Sequence, residues 1–280
     1  MGAFGLSAEP ALPRARESQG RCLGCGTLLE EIWSEEEFSA GLCPRCGLIF
    51  SETGGAATDY DENYFHNMMR SERSRVEHFR RLLAGLPHPL QSPLLDVGAG
   101  LGHFLLALPP RLRPGATLVE PSGSARAYME RALGIKAYPD LESVSTERMP
   151  FAAVTLWDVL AHVPDPRAML VQIRTRMQNG GALVIKTPHH PRRLFTAASL
   201  LRPIKKGRSL LHIPSMRTHF TPSSLQKLLA AAGFQPLSWQ WVSETPLQPR
   251  AWFGKSALLH AARRIVLLHI SFIVTASPVS

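Results

Sequence analysis

From Leu94 onward, short apolar runs alternate with amphipathic stretches. The runs Leu94–Val97, Ala116–Glu120, Ile135–Tyr138, Phe151–Trp157 and Ala182–Thr187 have the length and content of buried strands. Strands interleaved with helical stretches predict an α/β fold whose parallel sheet is covered on both faces. Upstream, residues 66–85 place Val76, Phe79, Leu82 and Leu83 on one side of a predicted helix, stopped by Gly85 and Pro87. Residues 51–65 form a polar linker ending in the aromatic cluster Tyr60-Asp61-Glu62-Asn63-Tyr64-Phe65. No internal repeat is visible, and no run of about 18 uncharged apolar residues predicts a bilayer-spanning helix.

With 280 residues, 45% of them hydrophobic and 19% charged, the chain is expected to fold as one large domain with a small appendage rather than to remain disordered. The reading divides it into a disordered tail over 1–19, a cysteine ribbon over 20–52, a linker and helix over 53–92, and a main domain over 93–280. The amino terminus lacks a basic segment followed by an apolar one, so the expected location is the cytoplasm. The net charge of +9 is unevenly spread. Residues 1–50 carry four Arg against seven Glu, whereas residues 186–280 carry 13 Lys and Arg against the single acid Glu244.

All four cysteines fall within 25 residues, as Cys22-x2-Cys25 and Cys43-x2-Cys46. Two such turns converge on one tetrahedral ion, the spacing of a zinc ribbon, and four protein ligands leave no open position, so the metal is read as structural. A disulfide framework is the alternative, disfavoured in a reducing compartment. Gly26 and Gly47 follow the second cysteine of each pair, where positive φ is expected to aim backbone N–H groups at sulfur. The ribbon is acidic around Glu30, Glu31, Glu35, Glu36 and Glu37, which disfavours contact with nucleic acid.

The segment Leu94-Leu95-Asp96-Val97-Gly98-Ala99-Gly100-Leu101-Gly102-His103-Phe104 sets a glycine-rich turn between the first strand and its helix, where backbone approaches a ligand closely. Asp96 would repel a pyrophosphate but suits a cationic amino group; a purely turn-stabilising role is the other reading. Glu120 ends the next strand, where a carboxylate can accept both hydroxyls of a ribose. An amino acid at one end, a ribose at the other and no phosphate describe S-adenosylmethionine.

At these residues the chain resembles the class I S-adenosylmethionine-dependent methyltransferases, in the branch where an amino-terminal zinc ribbon precedes a Tyr-Asp-Glu-x-Tyr-Phe element. Further matching segments are Val119-Glu120-Pro121-Ser122, Val159–Pro166, Gly180–Pro188, and His219-Phe220-Thr221-Pro222 followed by Leu225–Phe234. The resemblance implies a Rossmann-like sheet of seven strands, one antiparallel, flanked by helices. It places Ala257–Leu267 as the last helix and Ile270–Ala276 as the antiparallel strand. It implies that Gly98, Ala99 and Gly100 line the methionine, that Glu120 holds the ribose, and that Leu156-Trp157-Asp158 closes over the sulfonium; Tyr64, Gly102 and Pro121 join this cofactor set.

Two positions depart from the family pattern. Phe151-Ala152 stands where Phe-Asp is usual, and Val159-Leu160-Ala161-His162 where Val-Leu-Glu-His is usual. Related ubiquinone-biosynthesis enzymes can hold a divalent cation with an acid and a Glu-His pair, of which only Asp158 and His162 remain, so a catalytic metal is not expected. A hydroxyl acceptor needs a general base, and His162, just beyond the fourth strand, is the first candidate, ahead of His189 and His219.

In this family the insertion after the fifth strand, about 188–220, shapes the acceptor pocket. Its Arg192, Arg193, Lys205, Lys206 and Arg208 suit a phosphate-bearing partner. The expected function is therefore methyl transfer to a small-molecule or glycan- or lipid-linked acceptor. An RNA base methyltransferase and a degenerate cofactor-binding scaffold are the alternatives. Residues 251–276 are expected to be buried rather than to lie on a membrane.

Overall fold

The computed structural model describes residues 20–35, 38–53, 68–200, 211, 215–243 and 270–279. At its amino-terminal end β1 (Glu30–Glu35), β2 (Phe38–Leu42) and β3 (Ile49–Thr53) form an antiparallel meander. In β2, Phe38, Ala40 and Leu42 are buried and Ser39 and Gly41 partly exposed, the period-two pattern of a strand with one covered face. One cysteine pair occupies the turn before β1 and the other the turn between β2 and β3. Gly26 and Gly47 do take positive φ, 73° and 77°. Their N–H groups, however, donate to the carbonyls of Cys22 and Cys43 at 2.7 and 2.9 Å rather than to sulfur. The backbone bond to sulfur comes instead from Cys46 N–H to Cys43 Sγ, at 3.4 Å. The glycine closes the knuckle, and the residue before it is the one that faces the thiol.

The rest of the chain runs through α1 (Glu72–Ala84), β4 (Leu94–Val97), α2 (His103–Ala107), β5 (Ala116–Val119), α3 (Gly123–Leu133), β6 (Phe151–Trp157), α4 (Pro166–Arg174), β7 (Met177–Pro188), α5 (Arg192–Leu200), β8 (Thr218–His219), α6 (Pro222–Ala231), β9 (Phe234–Ser243) and β10 (Ile270–Pro278). Among the described residues six strands form one sheet in the order β5-β4-β6-β7-β10-β9. Strands β5, β4, β6 and β7 are mutually parallel, and β10 runs antiparallel to both β7 and β9. The strands predicted over 94–97 and 151–157 match those formed. The one predicted over 182–187 extends back to Met177, and β9 was not read from the sequence.

The run Ile135–Tyr138 contributes a single bridge, Tyr138 to Val119, at the position of a further edge strand. Tyr138 uses both backbone groups on that neighbour: its N–H donates to Leu118 O at 2.8 Å and its carbonyl accepts from Glu120 N–H at 2.8 Å. Pro139 then has no N–H to continue the ladder.

Two short sequence segments turn out to be helix caps. The Asp165 side chain accepts from Ala168 N–H at 2.9 Å with Pro166 opening α4. Thr221 and Ser224 form a reciprocal capping box with Pro222 opening α6. Both caps satisfy orphan N–H groups and so fix where each helix leaves the sheet edge.

The cysteine ribbon does not pack as a separate body. Cys22, Cys43, Cys46, Leu48 and Phe50 belong to the same apolar cluster as Phe220, Leu225 and Leu228, and β3 pairs with β8 through Ile49–His219 and Phe50–Thr218. On the other face of the sheet, Leu82 and Leu86 pack with Phe104, Leu108, Met129 and Trp157. The predicted last helix Ala257–Leu267 and the tail over 1–19 lie outside the described residues. No described helix is long and apolar enough to cross a membrane.

Strand β10 is the keystone of the sheet, because it alone joins β7 to β9. Ile273, 2% exposed, packs from it into the cluster with Trp157 and Val184. Ile273→Ala should therefore cost about 2–5 kcal/mol. Urea unfolding followed by tryptophan fluorescence checks this, and a loss well under 1 kcal/mol would place the strand outside the core.

Candidate active site

The carboxyl ends of β4, β5, β6 and β7 bring the candidate residues to one edge of the sheet. Asp96, on β4, is 1% exposed, and among the described residues its one hydrogen bond is from Thr155 Oγ1 on β6, at 2.7 Å. Burial pushes its carboxyl up to about 7; the Thr155 bond pulls back, and the charge of Glu120 adds to the rise. No described cation pairs with it.

After β4 the chain turns over the end of β5, with Gly98 and Ala99 N–H groups both donating to Val119 O at 2.8 and 3.0 Å. Gly98 has φ 76°, and a Cβ there would meet Val159 Cγ2 at 2.4 Å, so only glycine allows this turn to lie against the β6 loop. Gly102, at φ 79°, begins α2 close to Met129 of α3.

Glu120 ties this loop in place. Its Oε2 accepts from Gly100 N–H at 2.7 Å and its Oε1 from Ser122 N–H at 2.8 Å. Burial raises its pKa, while these two N–H groups and Arg126 act against the rise. Arg126 also donates to the carbonyls of Glu120 and Pro121, both at 2.7 Å, closing the turn after β5.

At the end of β6, Trp157 packs against Phe79 and Phe104 with ring centroids 5.4 and 5.1 Å apart, so its indole belongs to the core beneath α1. Its buried Nε1 has no hydrogen-bond partner among the described residues. Asp158 follows with φ 59°, a left-handed conformation that costs a non-glycine residue about 1 kcal/mol or more. Its Oδ2 takes the ammonium of buried Lys186 at 2.6 Å.

The three candidate histidines are in different situations. His162, partly exposed, donates Nδ1–H to Ser215 O at 2.5 Å, so its neutral ring keeps the Nε2 lone pair. His189 stands edge-on to Trp241, 5.1 Å between centroids; burial and then Arg193 lower its pKa. His219 is 1% exposed, with Nε2 bonded to Ser51 Oγ and Nδ1 to His190 Nδ1, both at 2.8 Å. Its two ring nitrogens are thus engaged within the fold, and the geometry gives it no route to an acceptor. Tyr64 and the basic run Lys205–Arg208 lie outside the described residues.

Ser51, Thr155, Lys186, His190 and Ser215 were not singled out in the sequence. Lys186 had a visible signal, a charge inside an otherwise apolar strand. The others had none, because Ser51 and His219 are 168 positions apart.

The four cysteines form no disulfide. Cys22 Sγ lies 3.3 Å from Cys46 Sγ and Cys25 Sγ 3.4 Å from Cys43 Sγ, and all four sulfurs fall within 4.8 Å of one another. A tetrahedron with zinc–sulfur bonds of about 2.3 Å has edges of about 3.8 Å. The cluster is therefore compatible with a zinc ribbon.

A family profile described as a methyltransferase domain matches residues 64–238. A ubiquinone biosynthesis O-methyltransferase of Dinoroseobacter shibae is 28% identical over 193 residues, covering 58% of this chain and 74% of that protein. Among solved structures, a chain of the Haloferax volcanii complex that contains the Trm112 methyltransferase activator is similar over 78% of this chain and 95% of that chain, at 13% identity and a TM-score of 0.53. A possible histamine N-methyltransferase from Thermotoga maritima covers 77% of this chain and 94% of its own, at 18% identity and a TM-score of 0.50. With buried acids at the strand ends, a glycine turn between them and a profile spanning more than half its length, the chain belongs to the class I S-adenosylmethionine-dependent methyltransferases.

Proposed function

We propose that this chain methylates a hydroxyl-bearing small molecule or a glycan- or lipid-linked intermediate, with Asp96 and Glu120 holding the two ends of the cofactor and His162 taking the acceptor's proton. The observation that carries the reading is the pair of buried carboxylates at the ends of neighbouring strands, with no cation beside Asp96 among the described residues. S-adenosylmethionine, when bound, supplies a methyl group made electrophilic by its sulfonium.

Asp96 answers the cofactor's ammonium, and its ionisation is completed by that charge. Each oxygen of Glu120 already accepts one backbone N–H and keeps a lone pair for a ribose hydroxyl. Gly98, Ala99 and Gly100 allow close approach of backbone to the methionine, with Gly102, Pro121 and Asp158 at the same edge of the sheet. His162 Nε2 accepts the proton as the acceptor oxygen approaches, and Ser215 O stabilises the imidazolium through Nδ1–H. Of the other two candidates, His189 lies against Trp241 at the end of β7 and suits an acceptor-wall role, while His219 suits a positioning role.

Transfer to oxygen is supported by the Dinoroseobacter relative, whose name specifies an O-methyltransferase. A phosphate-bearing acceptor is supported by the basic excess of residues 186–280. The four cysteines would hold one structural zinc, which steadies the ribbon and takes no part in transfer.

Calorimetry with S-adenosylhomocysteine should show binding where NAD shows none. Because the ligand's ammonium needs an ionised Asp96, binding below about pH 7 must expel a proton; affinity should climb by up to about tenfold per pH unit toward pH 7 and then level off. A flat profile from pH 5.5 to 8 would remove Asp96 from the site. Glu120→Ala should weaken binding by about 1–3 kcal/mol; an unchanged dissociation constant would refute the ribose assignment. Atomic absorption of the purified chain should find about one zinc per molecule, and full retention of zinc by Cys22→Ser would discredit the four-sulfur site.

A further inference from the structure

We propose that Ser51, on the last strand of the cysteine ribbon, is a positioning residue for His162, acting through the backbone of Ser215 and Met216. The inference rests on reading His162 as the proton acceptor. Residues 215–219 form a strap between the ribbon and the loop after β6. On one side Ser51 holds it twice, donating Oγ–H to Met216 O at 2.9 Å and N–H to Arg217 O at 2.8 Å. On the other side Arg217 and Thr218 N–H groups both donate to Ala161 O, at 2.8 and 3.0 Å. Ser215 O, next along the strap, is the acceptor of His162 Nδ1–H. The carbonyl that selects the His162 tautomer is therefore located by a serine of the ribbon on one side and by the residue preceding His162 on the other.

The protons in this region have one consistent direction. A carbonyl only accepts, so the Ser51 hydroxyl proton is committed to Met216 O, and its oxygen must accept from His219 Nε2–H. That leaves a lone pair on His219 Nδ1, which accepts Nδ1–H from His190. Neutral His219, buried against Phe195 with ring centroids 4.9 Å apart, is thus the donor that fixes the serine rotamer. Ser51 itself is 6% exposed. Removing the hydroxyl takes away the donor to Met216 O and the acceptor facing His219 Nε2–H, so the strap loses the side-chain bond that locates it.

The test uses the full chain labelled with 15N-histidine, with ring nitrogens read by long-range proton–nitrogen correlation and the His162 signals assigned by their loss in His162→Gln. At pH 8 the wild-type ring should be protonated at Nδ1. In Ser51→Ala the Nδ1–H population should fall from about nine-tenths to about half, and Ser51→Thr should restore it. Two outcomes overturn the proposal: an Nε2–H tautomer for wild-type His162, or His162 signals unmoved in Ser51→Ala while those of His219 change. Should Ser51→Ala fail to fold, the wild-type tautomer and its retention in Ser51→Thr decide. Adding S-adenosylhomocysteine to the same samples separates the two readings, since absence of binding sinks the cofactor assignment and leaves the Ser51 result standing.

Discussion

Two carboxylates withdrawn from water at the carboxyl edge of one sheet set the terms for everything else in this molecule. Burial raises the cost of ionising both Asp96 and Glu120, and at Asp96 the charge of Glu120 adds to it. The fold treats them differently. Glu120 is given two backbone N–H groups, so its charge is compensated by the very loop it holds, and the glycine turn is rigid before any ligand arrives. Asp96 is given one hydroxyl donor and no cation. A site that holds one acid satisfied and the other in want of positive charge discriminates between ligands by sign. A pyrophosphate would add two negative charges beside the uncompensated Asp96, whereas an amino acid joined to a ribose offers an ammonium to the first acid and neutral hydroxyls to the second.

The cysteine ribbon shares the core of the sheet rather than sitting beside it. Leu48 and Phe50 pack in the same cluster as Phe220 and the buried leucines of α6, and β3 extends its pairing to β8. The physical reason is economy of burial: a meander of three short strands has too little apolar surface to exclude water alone. Its second face is closed by Leu194, Phe195 and Ala198 of α5, which join Trp33, Phe38 and Ile49 in a further cluster. The ribbon, expected from the chain length to be a small appendage, thereby shares its core with the main domain.

Much of this was legible in the residues because the determinants are local. The strands at 94–97 and 151–157 are unbroken apolar runs, the glycine turn is contiguous with its acid, and the cysteine spacing implies its own convergence. Strand β9 was hidden because Gln235, Pro236, Ser238 and Gln240 dilute its apolar positions, as suits an edge strand with Trp241 62% exposed. The Ser51–His219–His190 chain was invisible for a different reason. Each member is an ordinary polar residue in its own neighbourhood, and only the β3–β8 pairing brings them together. His219 consequently read as a candidate base, when its surroundings use both of its nitrogens for structure.

The alanine at 161 acquires a physical meaning from the same contacts. Ala161 is buried in the main cluster, and its carbonyl takes two N–H groups from the strap. A glutamate at this position would have to bury a carboxylate among Leu160, Met216 and Phe220 or push the strap away. Close seating of residues 215–219 and an acid at 161 are therefore alternatives. This chain takes the first, and with it the Ser215 carbonyl that orients His162; Asp158, the other remnant of the acid–Glu–His set, is tied instead to Lys186. The departure at 161 thus accompanies an imidazole at 162 that is held by a backbone carbonyl.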